Sequence, residues 1–386
     1  MKKQLKHLIG GIKGAFVVMF TFLLFPFARL LLSHRKIWIV SERENECRDN
    51  GYVFFKYIRE EHKDINCFYA LKKNSPDYNK IKELGNVIWF GSLKHFLYYC
   101  AAKYLICSTT QGFCPSYYLT LLRKKMHLWG TYVFLQHGIT KDNQTFLYKK
   151  QAKIDLFVCG AKPEYEDISL KYGYSDNQVV YTGFARFDLY HNLSIKNQII
   201  VMPTWRRTAD DSSFEESNYY KIWNSFLTNK YLVKLLEDKK ITLYFYIHPL
   251  FQKYSSFFKS SCQNIVIADF KHHDVQLLLK ESKLLITDFS SVAFDFGYMM
   301  KPVIYYQFDE DEFFKKHYIK GYFDYRRDGF GPVCTDAESV IKNIEYCLDC
   351  RFDNQRYCSN VKLFFPLHDA NNSERIYHAI INYKKM

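Results

Sequence analysis

Two histidines stand at the ends of apolar runs. In "YVFLQHGIT" His137 is followed by Gly138, and in "ITLYFYIHPLF" His248 is followed by Pro249. An imidazole changes charge near neutral pH and can carry a proton in a reaction. A lone histidine in such a place is equally explained as a hydrogen-bonded structural residue, so the neighbouring motifs matter. "IIVMPTWRR" ends in Thr204, Trp205, Arg206 and Arg207, offering a hydroxyl, an aromatic face and guanidinium forks that match phosphate oxygens. The same residues would be inert as a solvated helix start. "YTGFARFD" supplies Gly183, Arg186 and Asp188. "LLITDFSSVAFDF" sets Asp288, Phe289, Ser290 and Ser291 between two apolar runs. Its serines either cap the first amides of a helix or hold a phosphate there. Two proton carriers, several cations and a helix start are the inventory of phosphoryl or glycosyl transfer from a nucleotide-activated donor.

These motifs need a frame, and the apolar runs before them provide one. "KIWIVSE", "NCFYAL", "NVIWF", "KYLICSTT", "YVFLQHG", "DLFVCGA" and "VVYTG" alternate with helical stretches. A second series follows with "IIVMPTW", "TLYFYIHP", "NIVIAD", "LLITDFSS" and "PVIYY". Two such series predict an α/β protein with two Rossmann-like lobes, whose ligands lie beyond the carboxyl ends of the strands. The expected division is a membrane-associating segment 1–34, a first lobe 35–190, a second lobe 198–350 and a carboxyl-terminal helical region 351–386. The acidic stretch Asp210 to Asn218 reads as a loop.

Lys and Arg outnumber Asp and Glu by 54 to 40, a net charge of +14, while 18% of residues are aromatic. A folded basic protein of this kind suits an anionic partner such as a phosphorylated substrate, an acidic membrane surface or nucleic acid. The aromatics sit mainly in apolar core runs, which argues against nucleic acid. Eleven scattered cysteines with no compact framework fit reduced cytosolic thiols. Near the amino terminus Leu5, Leu8, Ile9, Ile12 and Phe16 share a helical face, and the run from Gly14 to Ala28 is uncharged. That run is short against the roughly 20 residues of a comfortable span and contains Pro26, so a surface or shallowly inserted anchor is expected. A true span and a buried helix are the alternatives. No phosphate loop, dinucleotide fingerprint or HExxH helix occurs. His272-His273-Asp274 reads as a solvated pair, and no structural metal is expected.

The ordered set "QHGITKD", "TGFARFD", "MPTWRR", "YIHPLF", "LLITDFSSVAFDF", "KPVIYYQFDEDEF", "FGPV" and "DANNSERI" resembles the CDP-glycerol glycerophosphotransferase family, the polymerases and primases of teichoic-acid-like polymers. The likeness runs from about Trp38 onward and includes "ERENECRDNGYVFFKYI". It implies a GT-B-like fold, peripheral attachment to the cytoplasmic face of the membrane, and transfer of a polyol phosphate from CDP-glycerol or CDP-ribitol to a lipid-linked or polymer acceptor. By that resemblance His137 is the base on the acceptor hydroxyl and His248 lies near the donor phosphates. Ser290 and Ser291 hold the diphosphate, and Arg186 is the arginine of the loop. Arg206, Thr204 and Asp288 complete the expected donor side. Magnesium is a possible cofactor, with Asp288 and Asp295 as its candidates; a cap and a helix-packing carboxylate are equally good readings of the two. Gln136, the Phe-Ala-Arg loop and Arg207 depart from the family's usual Trp, Tyr-Pro-Arg and Asp, and these departures bear on the acceptor and the polyol. A GT-B glycosyltransferase using a nucleotide sugar, or a non-catalytic membrane scaffold, is the alternative.

Overall fold

The computed structural model describes residues 2–110, 112–125, 130–207, 214–260, 262–349 and 355–384. The side chains of Leu5, Leu8 and Ile9 and part of the expected acidic loop, 210–213, lie outside the described residues. Among the described residues the first sheet contains β1 (Trp38–Ser41), β2 (Cys67–Leu71), β3 (Val87–Trp89), β4 (Tyr104–Cys107), β5 (Thr131–Phe134), β6 (Leu156–Cys159) and β7 (Val179–Tyr181). The second contains β8 (Gln198–Met202), β9 (Thr242–Tyr246), β10 (Ile265–Ala268), β11 (Leu284–Thr287), β12 (Val303–Tyr306) and β13 (Val333–Cys334). β1, β4, β6, β11 and β12 are buried at every position. Near-continuous apolar runs are what a parallel strand covered on both faces requires.

The strand orders are β3-β2-β1-β4-β5-β6-β7 and β10-β9-β8-β11-β12-β13, and every pairing is parallel. Each order reverses once, at β1/β4 and at β8/β11, as in doubly wound folds whose ligands bind beyond the strand ends at that point. The expected α/β architecture with two Rossmann-like units is therefore present. Tyr99, Phe113, Tyr132 and Phe157 fill one core. Trp223, Phe245, Ile286 and Tyr306 fill the other.

One unit comprises Met1–His137, Thr145–Asp188 and Asp369–Met386; the other comprises Gly138–Gln144 and Leu189–His368. The region expected as one carboxyl-terminal helical part is divided. Helix Gln355–Phe364 belongs to the second unit and helix Asn372–Asn382 to the first. Asp188 holds the latter: its carboxylate accepts from Asn372 N, Asn372 Nδ2 and Ser373 N, each at 2.8 Å. Gly183, at φ +77°, is needed beside it, since a Cβ there would lie 1.8 Å from Asn372 Oδ1.

The amino-terminal helix α1 (Lys2–Leu32) runs through Pro26. Val17, Val18, Phe20, Leu24, Phe25 and Leu32 pack against the first core, and Ala28 and Thr21 are fully buried. Gly14 allows the Tyr118 ring to approach, with space for a Cβ only 2.7 Å from that ring. The other face, Ile12, Phe16, Met19, Leu23, Phe27 and Leu30, is exposed, Leu30 to 80%. These positions recur at intervals of three and four, which places them on one side of a helix.

Candidate active site

In the first unit the chemistry gathers beyond β1 and β5. Helix α2 (Asn50–Glu61) starts after Asp49, whose side chain makes no capping bond. Glu42, one residue beyond β1, does that work instead. Its carboxylate accepts from the backbone N–H groups of Arg48, Asp49 and Tyr52 at 2.9, 2.9 and 2.7 Å. Burial, with the Asp49 charge added, raises its pKa to about 7. Gly51 lets Glu42 in, because a Cβ there would stand 2.9 Å from Glu42 Cγ. Asp49 is thus free to reach across the unit. Its Oδ2 meets His137 Nδ1 at 2.5 Å and its Oδ1 accepts from Arg186 at 2.8 Å.

Gln136 holds the histidine at this place. It adopts φ +60°, a left-handed conformation that is uncommon outside glycine. Its side chain anchors the turn by donating to Val158 O at 2.7 Å and Glu164 Oε1 at 3.0 Å. Asn50 Nδ2 donates to Gln136 O at 2.8 Å and Asn50 Oδ1 accepts from Arg186 N at 3.1 Å. Arg186 also donates to His137 O at 3.1 Å.

Electrostatics settles the tautomer. Burial raises the Asp49 pKa, but the charges of His137 and Arg186 outweigh it and the net shift is downward, so the carboxylate is ionised. An ionised carboxylate only accepts, hence the ring proton sits on Nδ1 and Nε2 keeps its lone pair. The surrounding atoms lower the His137 pKa, and the Asp49 charge and hydrogen bond override them, leaving it raised. The side chain is 60% exposed, and Nε2 has no hydrogen-bond partner among the described residues. This is the arrangement of a general base with an orienting acid.

The second unit places its motifs beyond β8, β9 and β11. Asp288 is fully buried. Its Oδ1 accepts from Thr204 N at 2.8 Å and Phe289 N at 2.6 Å, tying the two strand ends together. Arg206 donates to Asp288 Oδ2 at 2.8 Å, to Asp309 at 2.8 and 2.9 Å, and to Thr204 O at 2.7 Å. Burial opposes its charge, and Asp288 and Asp309 more than restore it. The guanidinium lies over the Phe313 ring at 4.7 Å. The fork that the sequence assigns to phosphate is therefore engaged by carboxylates inside the unit, as is Arg186 by Asp49.

His248 is half-buried and begins the 3-10 run Pro249–Phe257, with Leu250 N–H donating to its Nδ1 at 3.2 Å. In the neutral ring its proton must lie on Nε2, the opposite tautomer to His137. One histidine is set to accept a proton and the other to donate a hydrogen bond. Ser290, one residue before the N-cap, accepts from Val292 N through Oγ at 3.3 Å. Ser291 makes no capping bond. Its hydroxyl faces Gly138, where a Cβ would come within 2.5 Å, which explains the glycine after His137. The buried Thr204 hydroxyl has no partner among the described residues.

The carboxylates expected for magnesium have partners within the protein. Asp288 accepts from two amides and Arg206, and Asp295 Oδ1 accepts from the Tyr190 hydroxyl at 2.8 Å. Among the described residues no group of three His, Cys, Asp or Glu side chains is placed to hold a metal.

Asp49 and Asp309 are the residues that sequence reasoning missed. Both lie inside quoted motifs, "RDNG" and "QFDEDEF", and an acidic residue just before a helix was the available signal for Asp49.

Comparison with known proteins agrees with these motifs. The minor teichoic acid biosynthesis protein GgaB of Bacillus subtilis (strain 168) is 30% identical over 378 residues, 91% of this chain and 40% of that protein. The chain thus spans less than half of that relative. The teichoic acid glycerol-phosphate transferase of Staphylococcus aureus (strain NCTC 8325 / PS 47) is 24% identical over 89% of this chain and 92% of its own length. A solved structure of the wall teichoic acid polymerase TagF has the same fold, with TM-score 0.70 and 16% identity over 98% of this chain and 97% of that one. Residues 22–382 match the family described as CDP-Glycerol:Poly(glycerophosphate) glycerophosphotransferase, and the chain belongs to that family.

Proposed function

We propose that the protein transfers glycerol phosphate from CDP-glycerol to a hydroxyl of a teichoic-acid-like polymer and releases CMP. The observation that carries this reading is the Asp49–His137 pair, with its free Nε2, in a chain of this family. The acceptor oxygen attacks the β-phosphorus while Nε2 takes its proton. The new P–O bond forms as the bond to CMP breaks, and CMP leaves with the electron pair. Asp49 holds the ring and balances the imidazolium. The Nε2–H of His248 and the hydroxyls of Ser290 and Ser291 donate to the diphosphate, where charge builds on the leaving group. The test is CMP release by detergent-solubilised protein given a lipid-linked acceptor and CDP-glycerol, CDP-ribitol or a panel of nucleotide sugars. Release from CDP-glycerol is expected; release only with nucleotide sugars would refute the reading.

The same reading places the enzyme on the cytoplasmic surface of the membrane, where a CDP-activated donor meets a lipid-linked acceptor. Helix α1 supports peripheral attachment. One face is packed on the protein along residues 17–32, and the opposite face is apolar and exposed. Changing Phe16, Leu23 and Phe27 together to Asp removes three large anchors, each contributing ~1.5–3 kcal/mol if buried. The variant is expected to pass from the membrane to the soluble fraction on flotation with anionic vesicles, and to retain activity on a short soluble acceptor.

A further inference from the structure

His317 stands outside every motif considered so far. It follows helix Glu310–Lys316 and its ring packs against Trp205, Phe313 and Tyr318, with centroids at 4.6, 4.9 and 4.3 Å. The residue is only 5% exposed. The Arg207 backbone N–H donates to its Nδ1 at 3.3 Å, so in the neutral ring the proton lies on Nε2. That nitrogen is buried and has no partner among the described residues. A buried donor without an acceptor costs about 1–3 kcal/mol and is rare enough to need a reason. The Thr204 hydroxyl, on the stretch after β8 that also supplies Trp205 and Arg207, is buried and has no partner among the described residues.

Burial, and after it the charges of Arg206, Arg207, His248 and Lys141, push the His317 pKa down to about 3. The ring therefore stays neutral and Nε2 offers a hydrogen bond without a charge; Arg206 and Lys141 are themselves paired with carboxylates.

We propose that His317 is a binding residue for the activated donor, its Nε2–H and the Thr204 hydroxyl donating hydrogen bonds to phosphate oxygens of a nucleoside diphosphate. The inference rests on the reading of this unit as the donor-binding one, and it adds a residue that the resemblance did not supply. A neutral donor suits the place: it fixes an oxygen without adding another charge to a group that must depart as CMP.

The experiment is calorimetric titration of the full chain in detergent with CDP, UDP and inorganic pyrophosphate. His317→Gln keeps an N–H near the Nε2 position. His317→Asn keeps an acceptor for the Arg207 amide and lacks the outer donor. His317→Asn is expected to bind CDP at least about tenfold more weakly than wild type, and His317→Gln to stay within a few-fold of wild type. A purely structural histidine gives the reverse ranking, and that ranking, or equal affinities, overturns the proposal. If both variants unfold, Thr204→Val serves instead: weaker CDP binding supports the proposal and wild-type affinity overturns it. Binding of UDP in place of CDP with the expected ranking would uphold His317 and sink the cytidine reading. Intact CMP release from CDP-glycerol with unchanged affinity in His317→Asn would do the opposite. Wild-type protein that binds none of the three probes overturns the proposal.

Discussion

Replacing His137 with alanine is expected to lower CMP release by about 10²- to 10⁴-fold, the usual contribution of a positioned general base, with little change in donor affinity. The side chain is more than half exposed, so its removal leaves no sealed cavity and the thermal midpoint should stay near wild type. The pH profile carries the finer test. The reaction needs Nε2 unprotonated, and Asp49 raises the His137 pKa above its ordinary 6.5. Activity should therefore fall as pH drops through a value above 6.5, and be full well above it. Asp49→Asn removes the charge that favours the imidazolium, so the acid limb should move to lower pH. Its plateau should fall as well, because the imidazolium formed in the reaction loses its counter-charge. A plateau unchanged by Asp49→Asn, or an acid limb that stays in place, would refute the pairing.

Arg206→Met is expected to destabilise the protein by about 3–5 kcal/mol, since it strands Asp288 and Asp309 as buried charges without a counter-ion. Denaturant unfolding followed by tryptophan fluorescence would read this, because Trp205 and Trp223 lie in the same unit. Adding Asp288→Asn and Asp309→Asn to that variant removes the stranded charges and should recover much of the loss. The carboxamide that replaces the Asp288 carboxylate can still accept from the two backbone amides through its oxygen. If the single and triple variants are equally unstable, the cost comes from lost packing against Phe313 and Phe289, and the ionic account fails. Arg206→Lys should also destabilise, because one ammonium cannot match a fork that bonds two carboxylates and a carbonyl.

The arginines show where reading the sequence stops. A guanidinium fits a carboxylate as well as a phosphate, and nothing local in "PTWRR" or "GFARFD" says which one it meets. The partner of Arg206 lies 82 residues later at Asp288 and the partner of Arg186 lies 137 residues earlier at Asp49. The Asp49–His137 pair is separated by 88 residues, and only the β1-β4-β5 order joins them. By contrast, β1 to β12 were each legible as an apolar run, and β1, β4, β6, β11 and β12 most clearly, because a strand covered on both faces must be nearly apolar throughout. β13 has two residues, Val333 and Cys334, too few to form a pattern. The strand-to-helix turn at Asp288–Ser291 was legible for the same reason as its flanks, whereas the division of labour between the serines was not. Ser290 accepts from the Val292 amide, and only the contact with Gly138 distinguishes Ser291. The anchoring of helix Asn372–Asn382 by Asp188 was likewise hidden, since a carboxylate in a loop does not announce which amides it will hold.

That anchoring also orders events at the ribosome. Seven strands of the first unit are synthesised by Tyr181, yet the helix that completes it begins at Asn372. Closing so long a segment adds only a few kcal/mol of chain entropy, because the cost rises with the logarithm of length. The delay is a matter of timing: at ~5–20 residues per second, roughly ten to forty seconds separate the last strand from its covering helix. Throughout that interval the groups that will receive the helix, Asp188 and the Gly183 turn, wait without it. The nascent chain thus has to finish its second sheet before its first unit is whole, and assembly of this enzyme does not follow the order in which its residues emerge.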